Sequence, residues 1–86
     1  MAMKNWIHEA IMNERERQHD KWGGVHQWGC GDCSSDEVED SVKAMVLGEK
    51  VGEVNRAVLE LEHENLRVEL IHVAAVAVAW LEGMGE

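Results

Sequence analysis

VEDSVKAMVLGEKVGEVNRAVLELEHENLRVELIHVAAVAVAW, residues 38–80, is the segment that decides the fold. It is helix-forming almost throughout, so it makes either one helix of about 43 residues or two shorter ones. Val42, Met45, Val46, Val51, Val54, Val58 and Leu61 form a first apolar-rich stretch, Glu62-His63-Glu64-Asn65 interrupts it, and Leu66 to Leu81 form a second, more apolar one. Helices average about 11–12 residues, and a small domain buries more surface by folding back than by projecting a rod. The break therefore predicts a helical hairpin in which Asn65 caps the later helix and Gly83 with Gly85 stops it.

Upstream, Trp6, Ile7, Ala10 and Ile11 fall on one stripe of a helix running from about Lys4 to about Asp20. The second half of that helix, residues 14–21, carries no apolar side chain and reads as a solvated face. Gly23, Gly24, Gly29 and Gly31 then break regular structure, giving a glycine-rich loop over residues 22–35. Ser34 followed by Glu37 fits a capping box, and Asp36, Glu37, Glu39 and Asp40 put negative charge where a helix N-terminus favours it. The expected architecture is all-α, a single domain over residues 1–86 built as a three-helix protomer around a central hairpin.

Composition sets the outer bounds. The 86 residues hold 8 Lys and Arg against 17 Asp and Glu, a net charge of −9, which argues against nucleic acid or an anionic membrane as partner. Proline, tyrosine and phenylalanine are absent and Trp6, Trp22, Trp28 and Trp80 supply every aromatic ring, a composition unlike a β-sandwich. The longest apolar run, Val73 to Leu81, is well short of the roughly 20 residues that span a bilayer. No apolar leader precedes the first helix, so a cytoplasmic location is expected. A chain this short buries only about 60 to 65% of its unfolded surface. Val73 to Ala79 are nevertheless apolar on every face of their helix, which predicts burial at the centre of a homodimer or of a homotetramer made as a dimer of dimers.

Two acid pairs carry the chemistry. Glu49 and Glu53 stack one turn apart on one helix, and Glu69 and His72 share a face of the next. Residues equidistant from the turn of an antiparallel hairpin lie at the same level. The midpoint of Glu53 and Glu69 is residue 61, and that of Glu49 and His72 falls between residues 60 and 61, both close to the polar break. Three carboxylates and an imidazole between two helices are costly unless a cation neutralises them, and an oxygen-rich set suits Mg²⁺ or Mn²⁺.

At these residues the sequence resembles the MazG-like family of all-α nucleoside triphosphate pyrophosphohydrolases, whose signature is Glu-Glu-x-x-Glu on one helix and Glu-x-x-Asp on the next. The stretch Arg15-Glu16-Arg17-Gln18-His19-Asp20-Lys21-Trp22-Gly23 is similar to short phage and bacterial members, and the resemblance runs from about Glu14 to Glu82. It implies cleavage of a (d)NTP between the α and β phosphates to give the monophosphate and pyrophosphate. It also implies acids holding Mg²⁺, with dimers or tetramers whose sites lie near subunit interfaces. Glu49 matches the first Glu and Glu53 the third, and Glu69 matches the Glu of the second motif. Lys50 stands in place of the middle acid and His72 in place of the Asp.

Those two replacements leave two functions open. Glu49, Glu53, Glu69 and His72 hold a metal while Lys50 meets a substrate phosphate, with Glu49 and Glu53 catalytic, or the Lys50 ammonium replaces a metal and the protein binds or sequesters a nucleotide without hydrolysis. Trp22, at the helix-loop junction, offers a ring to a nucleobase or closes a small core, and Arg17 and Lys21 are placed to reach a phosphate. In the glycine-rich loop, His26, Cys30 and Cys33 offer three ligands of a Zn²⁺ site or, lacking a fourth, leave two reduced thiols.

Overall fold

The computed structural model describes residues 3–85 as three helices and one small hairpin. Helix α1 spans Asn5–Trp22, strands β1 and β2 are Val25–His26 and Gly29–Cys30, helix α2 spans Asp40–Leu59 and helix α3 spans His63–Gly83. Among the described residues, no helix is long and apolar enough to cross a membrane.

The hairpin forms where the polar break predicted it, with the turn two to three residues earlier. α2 ends in a Schellman motif: the Leu61 N–H donates to the Val58 carbonyl and the Glu62 N–H to that of Ala57. Such a motif needs a left-handed residue after the helix, a position that glycine usually fills, yet here it is Leu61 at φ 56°. α3 therefore starts at His63 behind Glu62, and Asn65 lies inside its first turn and does not cap it. At the open end of the hairpin the Trp80 indole N–H donates to the Asp40 carboxylate at 3.1 Å, which fixes the register of α2 against α3.

The core is thin and made of small side chains. Val38, Ala57, Ala75, Val76 and Ala79 are buried, and Val76 is the largest fully buried side chain among the described residues. Residues 71–80 of α3 are buried or half-buried all round within a single chain, α1 covering one side and α2 the other. The tryptophans stay outside: Trp6, Trp22 and Trp28 are each close to half exposed, and Trp6 stacks under the Arg67 guanidinium.

The α1–α2 connection departs from its expected form. Val25 pairs with Cys30 and His26 with Gly29, so a two-stranded antiparallel sheet sits inside the glycine-rich segment. No capping box forms at Ser34 and Glu37, because α2 begins six residues after Ser34, behind Glu39. The Ser34 N–H and hydroxyl both donate to Asp32, and the Ser35 hydroxyl accepts from the Glu37 N–H while donating to the Cys30 carbonyl. Gly31, at φ 101°, has no room for a side chain: a Cβ there would lie 2.5 Å from that of Ser35.

The polar half of α1 is a solvated face only in part: Glu16, Arg17, His19, Asp20 and Lys21 are exposed, and the other three are not. Glu14 and Gln18 are buried and Arg15 is half-buried, because they continue the stripe of Ile7 and Ile11 at helical spacing and so point at α3 and the loop. Arg15 reaches Glu82 at the end of α3 with Nε at 2.9 Å and Nη2 at 2.7 Å, and its Nη1 meets Asp32 at 3.2 Å. This Arg15–Asp32–Ser34 hub ties the loop to both α1 and α3. Burial alone would raise the Asp32 pKa, but the hydrogen bonds from Ser34 and Arg15 outweigh it and hold the carboxyl below its ordinary value.

Candidate functional site

Across the middle of the hairpin, one turn of α2 faces one turn of α3. Glu53 comes from α2, and Glu69 and His72 from consecutive turns of α3. One ligand atom of each lies within 4.8 Å of the others, and all three residues are half-buried. Two carboxylates and an imidazole gathered this closely are a donor set that suits a divalent cation. His72 Nδ1 is 3.0 Å from Glu69 Oε1. Lys50, one turn before Glu53, sets its ammonium 3.7 Å from Glu53 Oε2.

Of the four residues predicted to converge, Glu49 stays apart. It lies four residues, about 6 Å of helix rise, toward the N-terminus of α2 from Glu53 and is exposed on the wall of a neighbouring cavity. Its place beside the imidazole is taken by Glu14 of α1, whose Oε2 is 3.6 Å from His72 Nε2. Glu14 was hidden in a run of charge. The signal that would have found it is its phase, since Ile7, Ile11, Glu14 and Gln18 share one stripe of α1.

Glu14 is itself held on three sides. Arg17 donates to both of its oxygens, from Nε at 2.7 Å and Nη2 at 2.6 Å, and Gln18 donates at 3.1 Å. Burial pushes the Glu14 pKa up, but the Arg17 hydrogen bonds and the His72 and Arg17 charges outweigh this and leave it below the usual value. The same fork raises the pKa of Arg17.

Beside the cluster lies a cavity of about 290 Å³ between the end of α1, the loop and α2. The structure brings to its wall every residue that the sequence nominated for phosphate or base contact: Arg17, Lys21, Trp22 and Lys50. Lys21 Nζ sits 5.4 Å above the Trp22 ring, and Trp22 meets His26 edge to face at 5.6 Å. Trp28 closes the loop side, and Val42, Val46 and Val76 line the apolar floor.

The loop does not gather His26, Cys30 and Cys33 into a zinc set. Among the described residues, Glu53, Glu69 and His72 are the one group with converging ligand atoms. Both imidazole nitrogens of His26 are spent on the β1–β2 turn: Nδ1 accepts from the Trp28 N–H at 3.2 Å, so Nε2 carries the proton and donates to the Gly31 carbonyl at 2.7 Å. Cys30 and Cys33 are free thiols. Burial, helped by the Asp32 charge, pushes the Cys33 pKa up against the opposing pull of Lys43 and Arg15, which keeps it protonated at neutral pH.

No protein-family model, curated protein or solved structure matches the chain.

Proposed function

We propose that this chain is a MazG-like pyrophosphohydrolase that cleaves a (d)NTP to its monophosphate and pyrophosphate with a divalent cation. The observation that carries this reading is the convergence of Glu53, Glu69 and His72 next to a cavity walled by Arg17, Lys21, Lys50 and two tryptophans. Glu53, Glu69 and His72 would hold the cation, and the imidazole favours Mn²⁺ over Mg²⁺. When bound, the ion supplies positive charge for the triphosphate and acidifies water. Lys50 offers a point charge to a phosphate from α2, and Lys21 does so from the end of α1. The rings of Trp22 and Trp28 give a base an aromatic surface. Arg17 is already forked onto Glu14 through Nε and Nη2, so its part is to shape the wall.

One observation favours the second reading, a nucleotide-binding relative without hydrolysis. The Lys50 ammonium already stands 3.7 Å from Glu53, where it neutralises charge that a cation would otherwise meet. Pyrophosphate release from a panel of (d)NTPs with Mg²⁺ and then Mn²⁺ separates the two. The enzyme turns over and Glu53→Gln abolishes turnover, whereas the binder holds nucleotide without release and Lys50→Glu restores it.

The partner in this proposal is a second copy of the chain, as homodimer or homotetramer, in the cytoplasm of a bacterium or of a phage-infected host. Supporting it, Met45, Val51, Val58 and Leu59 are exposed along α2, and Gly48 and Gly52 have nothing within 4 Å of where a Cβ would stand. That face would accept a close helix. Sedimentation giving a stable monomer at micromolar concentration overturns it.

A further inference from the structure

We propose that Glu14 is a positioning residue for His72, turning the imidazole so that its Nδ1 edge, on the side of Glu69, is the one offered to a cation; this rests on the metal reading above. An imidazole binds a cation through either nitrogen, and the partner of the other nitrogen settles which. Here each edge of the ring faces a carboxylate. Nδ1 lies 3.0 Å from Glu69 Oε1, while Nε2 faces Glu14 Oε2 at 3.6 Å, within ion-pair range. A cation shared with Glu53 and Glu69 takes the Nδ1 edge and leaves the Nε2 proton for Glu14.

The device works only if Glu14 cannot swing away, and its surroundings hold it. It is 8% exposed, both oxygens are occupied by the Arg17 fork, and Gln18 adds a third bond. Arg17 and Gln18 follow Glu14 by three and four residues, so one turn of α1 contains the whole assembly. α1 thus supplies no ligand of its own. Its contribution is to fix the orientation of a ligand on α3, a task that Glu49 and Lys50 on α2 do not perform.

The test is a double-mutant cycle read by Mn²⁺ affinity and by electron spin-echo modulation from imidazole nitrogen. Wild type binds Mn²⁺ with ¹⁴N modulation, which His72→Ala removes. Glu14→Gln weakens binding by about tenfold to a hundredfold and diminishes the modulation. In the His72→Ala background the same substitution changes affinity less than about twofold, because Glu14 acts through the ring. An equal loss in both backgrounds makes Glu14 a source of field or a direct ligand, and overturns the proposal. So does a Glu14→Gln protein with wild-type affinity and modulation. Wild-type protein that binds no Mn²⁺ at millimolar concentration overturns the metal reading together with this one. If Glu14→Gln loses helicity, Glu14→Asp keeps the charge but withdraws the carboxylate by one methylene. A smaller loss of affinity and modulation then supports positioning, and none refutes it.

Discussion

The α2–α3 hairpin and the segment between α1 and α2 are of similar importance to the site but are held by different forces. The hairpin is closed by Ala57, Ala75, Val76 and Ala79, small apolar side chains repeated along two helices. Residues 23–39 contribute one buried apolar side chain, Val38, and are pinned instead by Asp32, Arg15, Glu82, Ser34 and Ser35. Packing spreads a small gain over many positions, whereas a polar hub concentrates it in a few directional bonds. Damage to the first should unfold the molecule, and damage to the second should loosen the cavity wall while leaving the helices.

The largest effect expected is from Val76→Asp, which puts an unpaired charge in the hairpin. A cost of about 3 to 5 kcal/mol is a large share of the stability of a domain this size, so circular dichroism should show loss of helix at 37 °C. Asp32→Ala is next. It strips partners from Arg15 and Ser34 at a cost of about 1 to 3 kcal/mol, and hydrogen exchange should rise across residues 23–39 before it rises in α2 or α3. Equal exchange in both regions would erase the distinction between them.

Acid should find the same hub. The Asp32 pKa is lower folded than unfolded, so its contribution to stability is complete above the ordinary carboxylate value of about 4 and is lost as pH falls through the lowered one. Melting temperature measured from pH 6 to pH 2 should fall less steeply in Asp32→Asn than in the wild type. The smallest effect tests the hairpin turn. Leu61 is 78% exposed and holds a left-handed backbone, so Leu61→Gly should raise stability by about 0.5 to 1 kcal/mol with no packing lost. A drop in the denaturation midpoint would mean that the leucine is covered by another chain.

The same contrast explains what could be read in advance. The hairpin was legible because two apolar stretches flank a polar break, and the midpoint of Glu53 and Glu69 falls close to that break. The turn itself was misplaced toward Asn65 because a leucine in the left-handed region leaves no mark in a sequence. Strands of two residues, Val25–His26 and Gly29–Cys30, carry no period to detect. The hub was illegible for another reason: Arg15 finds Asp32 and Glu82 at separations of 17 and 67 residues, and nothing local in the chain announces either. Within the candidate site, Glu53, Glu69 and His72 follow from helix spacing and Trp22 from its setting beside the glycines, whereas Lys50 was singled out only by the resemblance, as the residue in place of an acid. Glu14 required knowing that a charged residue had inherited an apolar phase.

That none of the four indoles is fully buried has an optical consequence. A protein whose rings sit in the core changes colour and yield chiefly when it unfolds, but here Trp6, Trp22 and Trp28 already meet solvent and Trp80 is tethered at the rim by Asp40. Unfolding should therefore move the emission maximum little. Trp22 and Trp28 line the cavity, so a purine or pyrimidine entering it should quench them through stacking, and the native fluorescence becomes a titration signal that needs no added dye.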